Sequence, residues 1–382
     1  MTTYANEGEA LHAVLAGWLV RREGCTPEQA IARHGVDNVL AACEREGVVS
    51  LVHARLSTMD AHPVPVELMQ PLAARARLCA ARSLLCVAEA RRIQQALYAA
   101  RIPALWLKGI ALAQWLYPAM HLRDIADIDM LLPGHATTLR AAQVLAPLGY
   151  TLPNPHIAGD LVVHELLAWS ERARLELDLH WDLSNPALFA GLLPWAELAA
   201  GSQPLPGLGG QARGLGKVHA LLHACLHRAV NMLTGRQDRL RWLLDIHWLV
   251  LAMDNAAWMA LVRAASEASL ADATAAGLKA AQQAFGTPLP PDIVQSLEQA
   301  AVSEGVCTAR LANWHYFQRC NWRALPGMPM RLRWLRQSLL PNAAHLRVRY
   351  GADGAHLPVV VLRRLGDAWR RWRGWARPRD SL

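Results

Sequence analysis

Apolar positions in residues 8–100 have the spacing of amphipathic helices. They recur at steps of three and four, as from Leu11 to Leu19 and again from Leu84 to Leu97, which places them on one helix face. Thr26-Pro27 predicts a helix start, because Thr caps helix N-termini and Pro fits the first turn. We therefore predict a helical N-terminal region over residues 1–100.

The pattern changes at Ile102, where short runs with a period of two replace the helical spacing. A period of two is typical of β-strands, whose side chains alternate between two faces. Strand-like runs cover 104–107, 124–132, 161–169 and 175–183, and helix-like stretches cover 110–116 and 136–148. This succession predicts a small mixed α/β core over residues 101–200.

Helical spacing returns after a connector. Residues 201–216 contain six Gly and two Pro, which predicts irregular structure. From Lys217 onward we expect a C-terminal helical region over 217–345, followed by a tail rich in Trp and Arg over 346–382. The predicted fold class is α+β, with a small mixed β-sheet core flanked by N-terminal and C-terminal helical regions.

Charge is concentrated near the C-terminus. The formal net charge is +8, yet residues 321–382 contain thirteen Arg against three Asp, so the rest of the chain is slightly acidic. Leu362, Leu365 and Trp369 fall on one stripe of a predicted basic helix. Such a helix favours an anionic membrane surface or nucleic-acid phosphates, and we place this polyanion or membrane contact at residues 359–379. The alternative is that the stripe packs on the protein's own body.

Composition also bears on the compartment. The sequence has no apolar run of the roughly 18 residues that a membrane-spanning helix needs, and residues 1–30 lack the order of a signal peptide. The seven Cys are scattered without a C-x-x-C pair, which favours reduced thiols over disulfides. We expect a cytoplasmic protein.

Carboxylates mark the candidate chemistry. Asp127 and Asp129 stand two apart on a predicted strand, so both would project from one face and share a hard cation. Glu176, Asp178 and His180 alternate with leucines on another predicted strand, and a buried sheet seldom presents so many ionisable groups without a ligand. If the two strands are neighbours, Asp178 completes a three-carboxylate cluster that attracts divalent metal.

A second candidate lies at Lys108-Gly109, between a predicted strand and a helix. A glycine backbone at such a turn can approach phosphate oxygens. Lys108 is one of three Lys against 36 Arg, and a phosphate contact is one interpretation. A solvated lysine at a turn is the other.

Further residues have open interpretations. His219, His223 and His227 are spaced by four on one predicted helix face, a geometry compatible with zinc, but no carboxylate or thiolate completes the set. Asp245, inside an apolar helix, is expected to pair with an arginine such as Arg241. Of the neighbours His164 and Glu165, only one can face the candidate site.

Three segments in this order resemble the nucleotidyltransferase family of the DNA polymerase β-like superfamily, in particular its uncharacterised bacterial branch. They are Leu107–Leu112, Arg123–Asp129 and Glu176–Trp181, and the similarity extends over about residues 80–350. The resemblance implies that Asp127 and Asp129 bind Mg²⁺ or Mn²⁺. It further implies that Asp178 is the third carboxylate and orients or deprotonates an acceptor hydroxyl.

The resemblance also implies a substrate. Gly109 would lie against the phosphates of an NTP, with ATP expected as donor. Many superfamily members have Ser after this glycine, whereas Ile110 has no hydroxyl, so Lys108, Arg123 and backbone N–H groups are the expected phosphate contacts. His180 is expected either to contact nucleotide or acceptor, or to form a hydrogen bond within the sheet.

The resemblance thus predicts transfer of an NMP to an acceptor hydroxyl or phosphate. The acceptor is left open among a small molecule, a peptide and a protein; a toxin-like or antibiotic-modifying transferase would differ only in this target. The alternative function is a catalytically inactive binding module that docks on RNA or membrane through the basic tail.

Overall fold

A computed structural model describes residues 2–20, 25–59, 64–154, 156–233, 237–350 and 357–372. Helices dominate both ends of the chain. The N-terminal helices are α1 (Thr2–Val20), α2 (Pro27–His34), α3 (Val36–Glu46), α4 (Val49–Leu56) and α5 (Val66–Ala99). The helices of the central part are α6 (Lys108–Leu112), α7 (His135–Leu145) and α8 (Trp195–Ala200). The C-terminal helices are α9 (Lys217–Leu233), α10 (Leu240–Leu251), α11 (Asn255–Glu267), α12 (Ala271–Phe285), α13 (Pro291–Glu304), α14 (Trp314–Ala324), α15 (Gly327–Leu339), α16 (Ala343–Tyr350) and α17 (Leu357–Trp372).

The centre of the fold is a mixed sheet of seven short strands. They are β1 (Leu105–Trp106), β2 (Ile128–Leu131), β3 (Tyr150–Thr151), β4 (Glu165–Ser170), β5 (Leu175–His180), β6 (Gln203–Pro204) and β7 (Arg213–Gly214). Their spatial order is β3-β4-β5-β2-β1-β7-β6. The β2–β5 and β1–β7 pairs are parallel and the other pairs antiparallel. The predicted α+β class, a mixed sheet with helical flanks, is confirmed.

Several details of the sheet differ from the sequence prediction: β3 was not predicted, the strand predicted over 161–169 is β4 at Glu165–Ser170, and β5 ends at His180. The predicted strand over 124–132 begins only at Ile128, where its pairing with β5 begins, and Asp124 before it accepts a 2.5 Å hydrogen bond from Ser50 Oγ. The predicted irregular connector contributes β6 and β7. Pro204 is tolerated there because β6 is an edge strand.

Two hydrophobic cores organise the helices around this sheet. One core joins leucines of the N-terminal helices to leucines of the C-terminal helices, among them Leu15 and Leu278. The other packs Ile93 of α5 against one face of the sheet, including Ile128 and Leu177. The apolar face of the sheet is therefore covered, and its polar side chains lie on the opposite face.

A buried carboxylate also links the two helical regions. Glu46 Oε2, on α3, accepts a 2.9 Å hydrogen bond from the backbone N–H of Leu240, at the start of α10. That N–H has no partner within its own helix, so Glu46 satisfies a group that would otherwise be left unpaired. The start of α10 is thus fixed by the N-terminal region.

The helix of the basic tail leaves part of its apolar stripe exposed. Arg364 donates a 3.0 Å hydrogen bond to the carbonyl of Ser338, yet Leu362 and Trp369 are 67% and 49% exposed. Part of the stripe is therefore accessible to a partner, and the alternative that the stripe packs on the protein's own body stays open. The proposed polyanion or membrane contact over 359–379 stays a prediction, and residues 373–379 lie outside the described residues.

Within the described ranges, no helix is both long and apolar enough to cross a membrane. All seven cysteines are free thiols, and Cys43, Cys86, Cys225 and Cys320 are buried, in agreement with the prediction of reduced thiols. A cytoplasmic location stays a prediction.

Candidate active site

Two neighbouring strands bring the candidate carboxylates together. In the parallel β2–β5 pair, Asp129 lies opposite Asp178 and Leu131 opposite His180. One ligand atom each from Asp129, Asp178 and His180 lies within 4.8 Å of the others. The sequence interpretation required β2 and β5 to be neighbours, and they are.

Asp129 is the most enclosed member of this group, at 2% exposure. Its Oδ1 atom lies 2.6 Å from Lys108 Nζ and 3.0 Å from His180 Nε2. Burial by itself would raise the pKa of Asp129, but the charge of Lys108 and the hydrogen bond from His180 hold this pKa far below its usual range. Asp129 is therefore ionised at every physiological pH.

Lys108 enters the site from the end of β1. Its backbone adopts a left-handed conformation with φ of 48°, which is uncommon outside glycine. Burial is the largest single influence and would lower the pKa of Lys108, but the charge and hydrogen bond of Asp129, together with the charges of Asp127 and Asp178, raise this pKa. Its ammonium group is thus paired with a carboxylate. The predicted phosphate contact of Lys108 stays a prediction.

His180 bridges two carboxylates. Its Nδ1 atom lies 3.1 Å from Glu165 Oε2 on the adjacent strand β4, while its Nε2 atom faces Asp129. Burial would lower the pKa of His180, but the hydrogen bonds with Asp129 and Glu165 raise it to about 9. Both ring nitrogens therefore act as donors, and His180 positions the carboxylates. Direct metal ligation would require it to give up one of these bonds.

The neighbours His164 and Glu165 have different roles. Glu165 faces the site, and Asn185 donates a 2.9 Å hydrogen bond to its Oε1 atom. Burial would raise the pKa of Glu165, but its hydrogen bond with His180 lowers it to about 2. His164 instead bonds the backbone carbonyl oxygens of Ser184 and Asp160. Only Glu165 belongs to the site.

Two carboxylates of the site have no hydrogen-bond or ion-pair partner in the described part of the chain, Asp178 and Asp127. Burial and the charge of Asp129 raise the pKa of Asp178 to about 7, and the same two causes raise the pKa of Asp127. Asp127 precedes β2 and is not one of the three residues whose ligand atoms lie within 4.8 Å. Its predicted part in metal binding stays a prediction.

A cavity adjoins these groups between the sheet and helices α9 and α10. It encloses about 740 Å³, including the part open to solvent. The core contributes Lys108, Gly109, Arg123 and Asp127, and the two helices contribute His223, His227, Arg241, Trp242 and Asp245. The C-terminal helical region thus forms one wall of the candidate active site.

Arg123 joins the core to this helical wall. Its Nε and Nη2 atoms donate to the two carboxylate oxygens of Asp245 at 2.8 and 2.7 Å, and Tyr117 Oη donates to Asp245 Oδ1 at 2.6 Å. The structure therefore pairs Asp245 with Arg123 and not with Arg241. Asp245 thus occupies the Nε and Nη2 donors of the Arg123 guanidinium group. The predicted phosphate contact of Arg123 stays a prediction.

Gly109 lies beside the same guanidinium group. A Cβ atom built at Gly109 would be 3.4 Å from Arg123 Nη1, an ordinary van der Waals distance. The backbone does not require glycine here, but glycine leaves the cavity side of Arg123 uncovered. Its predicted role against nucleotide phosphates stays a prediction.

Sequence reasoning missed the cavity role of His223, His227 and Arg241. The spacing of the three histidines suggested zinc, but His219 pairs with Glu197 and the other two line the cavity. Burial, followed by the positive charge of Lys108, lowers the pKa of His223 to about 3 and that of His227 well below its usual value. Both are neutral imidazoles that can donate or accept a hydrogen bond. The spacing of His223 and His227 along one helix face was the only sign of this role in the sequence.

A divalent cation fits the donor set of this site. Carboxylate oxygens are the ligands that Mg²⁺ and Mn²⁺ prefer, and Asp129 and Asp178 present them side by side. Burial and the charge of Asp129 both disfavour the ionised form of Asp178, and a bound cation would oppose both effects. His180 completes the geometric group but is a softer ligand with both nitrogens already bonded.

The mixed sheet with its strand-borne carboxylates and helical flanks defines a nucleotidyltransferase fold. A family model described as "Uncharacterised nucleotidyltransferase" matches residues 33–286. Because the match covers more than half of the chain, the protein belongs to this family. The matched range begins and ends earlier than the 80–350 expected from the motifs. No curated protein and no solved structure matches the chain.

Proposed function

We propose that the protein transfers an NMP from an NTP, with ATP as the donor, to a hydroxyl or phosphate of an acceptor. Family membership supports the reaction class. The observation that most directly supports the site is the Asp129–Asp178 pair on adjacent parallel strands. One of these carboxylates is fixed and ionised, while the other has no partner in the described residues.

Asp129 and Asp178, with Asp127 at the edge of the cavity, would hold Mg²⁺ or Mn²⁺. When bound, such a cation neutralises phosphate charge and makes an attacking hydroxyl easier to deprotonate. His180 and Lys108 hold Asp129 in place, so the geometry exists before substrate arrives.

The proposed reaction is an in-line displacement at the α-phosphorus of the NTP. The acceptor oxygen forms a bond to this phosphorus, and the bond from phosphorus to the α,β-bridging oxygen breaks, so pyrophosphate leaves with the electron pair. Asp178 orients the acceptor and takes its proton as a general base. Lys108, Gly109 and Arg123 line the cavity and supply the proposed phosphate contacts.

The test is transfer of label from α-³²P-labelled ATP, GTP, CTP and UTP with Mg²⁺, using cell extract as the source of acceptor. Asp129→Asn and Asp178→Asn should each reduce transfer by about 100-fold or more, with pyrophosphate release reduced in parallel. Asp37→Asn, which changes an exposed carboxylate on α3, is the matched control and should leave transfer within about twofold. Folded variants that transfer label like the wild type would refute the site.

The alternative is an inactive binding module that docks through the basic tail. The exposed Leu362 and Trp369 support a docking role for α17. This function predicts salt-dependent binding of a polyanion or anionic membrane and no pyrophosphate release with any NTP. The label-transfer experiment therefore separates the two functions.

A further inference from the structure

Arg241 differs from the other cations of the cavity. Lys108 pairs with Asp129, and Arg123 pairs with both oxygens of Asp245. Arg241 has no hydrogen-bond or ion-pair partner in the described ranges, and its Nε atom is shielded from solvent. Buried polar groups are nearly always hydrogen-bonded, so an unpaired guanidinium facing a cavity indicates a ligand.

The aliphatic part of the Arg241 side chain packs against the turn at Gly47. Gly47 closes helix α3 with a left-handed φ of 67°, and a Cβ atom at Gly47 would lie 3.0 Å from Arg241 Cδ. A side chain at this position would therefore require Arg241 to shift by a few tenths of an ångström. The close packing of the turn at residue 47 sets the position from which the guanidinium group enters the cavity.

The surroundings of Arg241 leave its positive charge uncompensated. Arg123 lies close enough to lower the pKa of Arg241, an effect second only to burial. His223 and His227 are neutral. Among the carboxylates of the cavity, Asp127 stabilises the positive charge of Arg241 most, although it does not lie within ion-pair distance. An anionic ligand that enters from the cavity is the missing partner.

We propose that Arg241 binds the triphosphate of the donor nucleotide. This inference rests on the proposed function and assigns a phosphate contact to the helical wall of the site. The planar guanidinium fork matches two phosphate oxygens. Arg241 shares its cavity with Lys108, Gly109 and Asp127, so a triphosphate there would lie beside the carboxylate site.

The test is binding of inorganic tripolyphosphate by isothermal titration calorimetry, in EDTA so that no metal contributes. Arg241→Gln should weaken binding by about tenfold or more, because hydrogen bonds to charged groups are the stronger ones. Arg241→Lys keeps the charge without the fork and should weaken binding by about threefold. Arg140→Gln, which removes an exposed arginine on α7, is the matched control and should bind within about twofold of the wild type.

Circular dichroism shows whether each variant is folded. If Arg241→Gln does not fold, Arg241→Lys decides the result. A folded Arg241 variant that binds tripolyphosphate like the wild type overturns the proposal, as does a wild-type protein that shows no binding at millimolar concentration.

Failure of this inference differs from failure of the proposed function. If tripolyphosphate binding depends on Arg241 but the wild type transfers no label from any NTP, the anion site stands and the enzyme function fails. If Asp129→Asn abolishes transfer while Arg241→Gln retains the wild-type KM for the NTP, the function stands and the role of Arg241 is refuted.

Discussion

The two sides of the candidate site are built on different principles. On the strands, Asp129 lies between the opposite charges of Lys108 and His180, and Asp178 beside it has no partner among the described residues. On helices α9 and α10, His223 is neutral and Arg241 has no partner among the described residues. The strand side is organised by its own residues before a ligand binds. The helix side contributes Arg241, a cation whose partner must come from outside, just as the partner of Asp178 must on the strand side.

Arg123 and Asp245 connect the two sides, and breaking this pair should have the largest effect on stability. Arg123→Gln leaves Asp245 buried with Tyr117 as its only remaining donor in the described structure, and should cost about 3–5 kcal/mol of unfolding free energy. Replacing both residues, by Arg123→Met with Asp245→Leu, should recover most of this loss because no unpaired charge remains. Urea denaturation measures both changes.

The activity of the double variant tests whether Arg123 contacts phosphate in addition to pairing with Asp245. If Arg123 only braces the helical wall, the stable double variant should transfer label at close to the wild-type rate. If Arg123 also contacts phosphate, the double variant should be stable and should show a raised KM for the NTP. A double variant as unstable as Arg123→Gln would contradict the ion-pair interpretation.

On the strand side, the paired His180 should make the free energy of unfolding depend on pH. The pKa of His180 is raised in the folded protein from 6.5 to about 9, so its contribution is fully present below pH 6.5 and is lost as the pH rises through 9. Unfolding free energy in EDTA should fall by roughly 2 kcal/mol across this interval. His180→Asn should remove most of that slope, and an unchanged slope in this variant would show that other groups cause it.

The basic tail should have the smallest effect on either side of the site. Deleting residues 357–382 should leave transfer to a small acceptor within about twofold. It should also abolish sedimentation with vesicles that contain anionic phosphatidylserine. Vesicles of neutral phosphatidylcholine are the control. Equal sedimentation of full-length and shortened proteins would refute the predicted membrane contact.

Local sequence patterns predicted the strand side well. The alternation in Leu175–His180 made β5 recognisable, since its leucines and polar residues occupy opposite faces. The alternation around Asp129 likewise predicted a strand, but not where it begins. Asp124 lies before the strand and bonds Ser50, 74 residues earlier in the chain, and no local pattern contains that contact.

The helix side could not be predicted in the same way. Arg241 looks like any arginine of an amphipathic helix, and its lack of a partner becomes visible only when α10 lies against the core. The bridge from His180 to Glu165 depends on the register of β4 against β5. Side chains that act across elements are set by packing, whereas side chains that alternate along one strand are set by the sequence itself.

The hydrophobic core shared by the first and last helices has a consequence for how the chain is made. Leu15 and Leu278 belong to the same core, so part of the apolar surface of the opening helices stays unburied until the ribosome has passed α12. During that interval they depend on delayed collapse or on a chaperone. A chain that terminates prematurely after the sheet would keep those surfaces exposed and should aggregate.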